Sequence, residues 1–273
     1  RFFRSVLTRA ERMPGVEAAA LVVSLPLTRS LVSNSVEVEG GSVREGSASY
    51  DSVSPGYFST MGMPLLRGRS FTEADSAPAA RVVVINQATA RKFWPGTDPI
   101  GKAVLTTRAV VSDTPAGKHL GFVHGRCEVV GIVGDAKQLG LDAPPTAAVF
   151  FPYPQRPSAD MTLVLRTVST PSLLAPALAR EVRRVDASLP LTEVGTMDGD
   201  CATEGVGRGP DEVTRACAHI PRNPACNVPR NPLAIRTRVR TAGKTAPGTG
   251  DLQVVRDDER SAASQLEVRS LGT

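Results

Sequence analysis

The stretch "SPGYFSTMGMPLLRGRSF", Ser54 to Phe71, packs three glycines, two prolines, three aromatics and two arginines into eighteen residues. It holds no histidine, carboxylate or cysteine, so it offers nothing for acid–base, nucleophilic or metal chemistry. Its local grammar is nevertheless specific. Ser54-Pro55 predicts a short helix with serine as cap and proline at the first helical position. Tyr57, Phe58 and Met61 form the inner face of that helix, and Gly62 ends it in a left-handed conformation. "MPLLRGRSF" then returns as a short strand with a turn or bulge at Gly68.

Upstream, "RFFRSVLTRAERMPG" sets Phe2, Phe3, Val6, Leu7, Ala10 and Met13 on one stripe at helical spacing, stopped by Pro14-Gly15. Residues 16–27 read as a buried strand, 34–41 as an alternating half-exposed strand with a glycine turn, and 47–53 as a further strand. Downstream, Val82 to Ile85 read as a strand. Asn86 caps a helix whose Ala90, Phe93 and Trp94 face a core. A variable loop is expected over about 109–125. Strands are expected at 127–137, 147–155, 161–168 and 189–194. Leu174, Leu178, Val182 and Val185 mark a helix that contains Pro176, where a backbone donor is missing. Many strands with a few helices between them predict a mixed α/β (α+β) body of two small lobes.

The chain has 273 residues and a formal net charge of +5. That length allows one large domain or two small ones. No aromatic residue follows Tyr153, and from Gly199 onward Gly, Pro, Arg, Thr and Ala abound. Such a segment buries too little apolar surface to offset its ordering entropy, so 1–198 is expected to fold and 199–273 to be a disordered tail. The densest basic run, 236–244, has no aromatic side chains to stack on bases, and a nucleic-acid partner is not expected. Cys127 is alone in the body, while Cys201, Cys217 and Cys226 lie in the tail, and no disulfide framework follows. No signal peptide and no apolar run of roughly 20 residues is present, and the start in mid-helix suggests a fragment.

Three constellations are candidates for chemistry. His119, His124 and Cys127 have the spacing H-x₄-H-x₂-C, but zinc wants a fourth ligand and a rigid turn. "GIVGD" (131–135) lacks the remaining glycines and the Lys-Ser/Thr of phosphate loops, and close strand packing explains it better. Asp51 with Asp75, or Glu128 with Asp135, could serve as an acid–base pair, yet nothing in their spacing sets them apart. No serine sits in a nucleophile elbow. The aromatic pairs Tyr57/Phe58 and Phe93/Trp94 read as core. No catalytic residue, metal or cofactor is assigned.

Four segments in order, "VSPGYFSTMGMPLLRGRSFTEAD", "VVVINQATARKFWPGTDPIGKAV", "CEVVGIVGDAKQLGL" and "VFFPYPQ", resemble one family over about residues 1–198. It is the MacB-like periplasmic core domain of FtsX-like ABC-transporter permeases. The resemblance implies a non-enzymatic domain on the periplasmic side of the inner membrane, inserted between two transmembrane helices. It implies a porter-like lobe (1–47 and 148–198) and an inserted lobe (48–147), with Ser54–Phe71 as scaffold at the start of the latter. A separate ABC ATPase subunit would drive the cycle, and a periplasmic adaptor or a second permease copy is an implied partner. Relatives of this kind serve macrolide or peptide export, lipoprotein release or control of cell-wall hydrolases. After residue 198 the expected membrane spans do not appear, which suggests an out-of-frame or truncated continuation. The alternative is a stand-alone extracytoplasmic ligand-binding or sensing domain.

Overall fold

The computed structural model describes residues 2–26, 33–76, 81–114, 117–138, 143–156, 158, 160–168, 171–187, 192–196 and 233–240. The elements in order are α1 (Phe2–Glu11), β1 (Val16–Val22), β2 (Ser33–Val38), β3 (Glu45–Val53), α2 (Tyr57–Thr60) and β4 (Leu65–Gly68). Then come β5 (Val82–Asn86), α3 (Gln87–Phe93), β6 (Ala103–Thr114), β7 (Gly117–Val133) and β8 (Ala148–Pro152). The chain continues with β9 (Asp160–Thr167), α4 (Pro171–Val185), β10 (Thr192–Thr196) and β11 (Leu233–Arg240). This is the mixed α+β body that the hydrophobic periodicity predicts.

Two packed units emerge from the pairing. In the first, β1 and β9 run antiparallel at the centre, and their alternate residues Ala19, Leu21, Met161, Leu163 and Leu165 meet the helices. From the helix side come Val6, Leu7 and Ala10 of α1 and Leu174, Leu178 and Val182 of α4, which is the stripe that the 3.6-residue period marks. The second unit is a closed ring of six strands. β3 pairs β2, β2 pairs β6, β6 pairs β7, β7 pairs β5, β5 pairs β8, and β8 returns parallel to β3. Closure removes sheet edges, and it obliges alternate side chains to converge inside. All six strands contribute to that interior, among them Val36, Tyr50, Ile85, Val104, Val129 and Phe151, and Phe93 and Trp94 of the α3 region complete it.

The stretch 109–125, expected as a loop, lies largely within the long hairpin of β6 and β7, paired without interruption from Ala103↔Glu128 to Thr114↔Gly117. The β-branched residues of β6, Val104, Thr106, Thr107, Val110, Val111 and Thr114, favour the ladder. Within 199–273 the structure describes one strand, β11, along β9. Averaged composition hid its period-two alternation of Ile235, Thr237 and Val239 with arginine. Ser54 does not cap α2. Its hydroxyl is fully buried and accepts the Leu21 N–H at 3.0 Å, and Gly56 takes the cap position. Asn86 caps α3 as expected, its side chain accepting from the Thr89 N–H at 3.0 Å, while its amide donates to the Thr146 carbonyl at 2.8 Å.

Where β4 lies on β7, Gly68 and Gly131 are paired, and a Cβ on Gly131 would stand 2.1 Å from the Arg69 carbonyl oxygen. One on Gly68 would stand 2.3 Å from the Val130 carbonyl oxygen, at a φ of +71°. Gly96 shares that φ but has open space beside it. Gly96→Ala is therefore expected to cost about 1 kcal/mol of left-handed strain alone. Gly68→Ala adds a backbone clash and is expected to cost about 3 kcal/mol or more. Urea midpoints of the two variants compare the effects, and equal midpoints would contradict the close approach.

Candidate functional site

Residues 54–71 occupy the junction between the helix-backed sheet and the ring. Tyr57, Phe58, Met61, Met63 and Phe71 form one buried cluster with Ala20, Val22 and Val164 from the back of the β1–β9 sheet. The same cluster takes in Val82, Val84, Val130 and Phe150 from the outer face of the ring. The rings of Phe58 and Phe150 meet edge to face at 5.1 Å, with Tyr57 5.6 Å and Phe71 6.0 Å from Phe58. The stretch is thus a wedge whose apolar side chains fill the space between two cores. Gly62, at φ +69°, lets the chain reverse directly after α2.

Polar bonds fix the wedge to both sides. Arg166 of β9 donates to the Thr60 carbonyl through Nε at 3.1 Å and Nη2 at 2.7 Å, satisfying an orphan acceptor at the end of α2. At the end of the wedge, Arg69 grips Asp75 through two parallel bonds of 2.7 and 2.9 Å, and the Thr72 N–H adds a third at 2.7 Å. These bonds, the Arg69 pair first, hold the Asp75 carboxyl below its usual range. Beside the wedge, Asp51 is buried and accepts from the backbone N–H groups of Ser24 at 3.1 Å and Ser52 at 2.8 Å. Burial pushes its carboxyl up to about 7, against the pull of those donors and of the Arg156 charge. Burial, and then the Asp51 charge, raise the fully buried Tyr57 phenol well above its ordinary value.

The candidate residues for chemistry lie apart in the structure. Asp75 is bound to Arg69, Asp51 anchors the turn after β1, and Asp135 accepts from the Ala88 N–H at 2.7 Å and pairs with Arg91 at 2.6 Å. Glu128 is exposed on β7. The glycines of 131–135 serve the β4–β7 approach, with the Gly134 N–H on the Pro64 carbonyl. His119, His124 and Cys127 stand opposite Ser112, Thr107 and Val104 along one continuous strand. That strand carries His119 about 26 Å from Cys127 at about 3.3 Å per residue, too far for one ion's coordination sphere. Cys127 belongs to the ring interior, and burial raises its thiol. Sequence reasoning missed the ties made by Arg166, Asp135 and Asp51, because each joins segments far apart in the chain.

Wedge, ring and helix-backed sheet thus form two packed units joined through residues 54–71 and through the β1–β3 pairing. The chain belongs to the family of MacB-like periplasmic core domains, whose model matches residues 3–185. Among described residues no helix is long and apolar enough to cross a membrane. Over 107 residues it is 31% identical to the "Probable syringafactin export ATP-binding/permease protein SyfD" of Pseudomonas syringae pv. tomato. The matched part is 39% of this chain and 14% of that relative's length. A counterpart from Pseudomonas syringae pv. syringae is also 31% identical, over 108 residues. Among solved structures, the periplasmic region of MacB from Actinobacillus actinomycetemcomitans is 14% identical with a TM-score of 0.46, covering 67% of this chain and 73% of that one. The extracellular domain of the ABC-type transporter YknZ from Gram-positive bacteria is 15% identical with a TM-score of 0.43, covering 67% and 80%.

Asp51 makes stability depend on pH. An unfolded aspartate titrates near about 4. The folded state therefore keeps a proton that the unfolded state releases between about 4 and about 7. This contribution is greatest below about pH 4 and falls as pH rises towards about 7. Asp51→Asn keeps the acceptor oxygen and cannot ionise. It is expected to melt above the wild type at pH 8, with a smaller Tm difference between pH 5 and pH 8. Identical pH slopes in thermal melts of the two proteins would contradict the burial argument.

Proposed function

We infer that this chain is the extracytoplasmic domain of an ABC-transporter permease, passing the ATP-driven cycle of a separate ATPase subunit to substrate export or to a partner protein. Family membership supports the transporter class, and the sequence similarity to an export ATP-binding/permease protein supports the export side of it. The observation that carries the coupling role is the wedge, which packs against both units at once and so can hand a displacement of one to the other. On this reading the domain lies on the outer side of the cell membrane. The helix-backed sheet would be the porter-like lobe, expected at 1–47 and 148–198, and the ring the inserted lobe, expected at 48–147, with β2 and β8 of the ring lying outside those expected bounds. An adaptor or a second permease copy would meet the domain there.

A second reading, a stand-alone ligand-binding or sensing domain, draws on a groove of about 440 Å³ floored by Leu66, Ala90, Trp94 and Ile132. It requires a ligand that raises Tm with concentration.

The permease that carries this domain, reconstituted with its ATPase in proteoliposomes, tests the coupling role. Phe58→Ala removes the centre of the wedge without touching the membrane or nucleotide sites. ATP turnover is expected to stay within about twofold while export per ATP falls about tenfold, a fall equivalent to about 1.4 kcal/mol of coupling. Unchanged export per ATP in a folded Phe58→Ala protein would overturn the reading.

A further inference from the structure

The unit β9–α4–β10 is a split βαβ. β11 runs antiparallel to both β9 and β10, so those two strands are parallel to each other and one strand apart. The filling strand is not the next in sequence. It is drawn from residues 233–240, on the far side of residues 197–232. Its register on β9 is unbroken over eight pairs, from Leu233↔Thr167 to Arg240↔Asp160. On the other side it meets β10 at Arg238↔Thr192, Arg236↔Gly195 and Ile235↔Thr196.

We propose that the gap between β9 and β10 is a strand-acceptor site, with residues 233–240 of this chain as its separable occupant. Three observations lead there. Left empty, the gap would present two facing rows of unpaired N–H and C=O groups, and β9 is a central strand of the helix-backed sheet. Among the described residues β10 pairs with β11 alone, so its place in the sheet depends on the occupant. Thirty-six residues of sequence separate β10 from β11, and the cost of bringing two segments of one chain together grows only with the logarithm of their separation. A tethered segment therefore docks at a high effective concentration yet can leave. Main-chain bonds supply the affinity in strand addition of this kind, so the site selects an extended segment of β-branched alternation. The chain's own "LAIRTRVR" has that alternation. Filling the gap from within also shields β9 from edge-to-edge pairing with a second copy. The proposal stands apart from the transporter reading and holds or fails independently of it.

The full chain carrying Ile235→Pro and Thr237→Pro tests it, because proline can donate no ladder bond. The probe is a fluorescein-labelled synthetic peptide of residues 231–242. It is expected to bind the double variant at least tenfold more tightly than the wild type, whose gap is already filled. Equal binding to both proteins, or binding to neither, with the variant keeping the wild-type circular dichroism, would overturn the proposal. Should the variant fail to fold, hydrogen exchange on the unaltered chain decides. Amides of 233–240 exchanging at least a hundredfold more slowly than an unstructured peptide support the site, and exchange at the unstructured rate rules it out.

Discussion

The edge-to-face contact of Phe58 with Phe150, 5.1 Å between centroids, sits where the two packed units meet. Phe150 lies on β8, which closes the ring against β3, and Phe58 lies on the short helix that crosses the back of β1 and β9. Neither unit alone covers the apolar backs of these strands. Val22 and Val164 on one side, and Val82, Val84 and Val130 on the other, are all removed from water by the same eighteen-residue wedge. A buried aromatic of this kind contributes on the order of 3–5 kcal/mol. The wedge therefore reinforces, on the apolar side, the short β1–β3 pairing at Val22↔Val53 that also joins the two units.

The polar groups around it obey the same constraint. Arg166 reaches from β9 to the end of α2, Ser54 reaches from the start of the wedge to β1, and Arg69 with Asp75 closes its exit. Each bond satisfies a group that packing has taken out of water, and those of Arg166 and Ser54 cross between segments distant in sequence. Asp51 is the exception in kind, a carboxyl buried among backbone donors whose ionisation is opposed by its surroundings. Its neighbour Tyr57 is kept a neutral phenol, by burial first and then by that charge.

Local chemistry was legible in the sequence wherever a residue type answers to one backbone need. Gly62 for the left-handed turn, Asn86 for the cap of α3, and the stripes of α1 and α4 follow from rules that span a few residues. The ring was not legible, because its closure rests on the parallel pairing of β3 with β8, about a hundred residues apart, and no local pattern encodes that choice. Ser54 was misassigned for a related reason: a serine before proline suits a cap, but burial against Leu21 gave its hydroxyl a nearer donor. β11 was hidden because its eight residues sit in a stretch whose average composition opposes order. The wedge itself was legible as an apolar scaffold without chemistry, but not as the piece that joins two cores.

Trp94, the single tryptophan, lies in the ring interior, whereas α1 and α4 belong to the other unit. Tryptophan fluorescence thus reports on the ring during urea unfolding, and helical circular dichroism mainly on the other unit, whose α1 and α4 are the longest helices among the described residues. If the wedge makes them one cooperative body, the two curves coincide in the wild type and separate into distinct midpoints in Phe58→Ala. Curves already separate in the wild type, or still coincident in a destabilised Phe58→Ala, would contradict the central role given to the wedge.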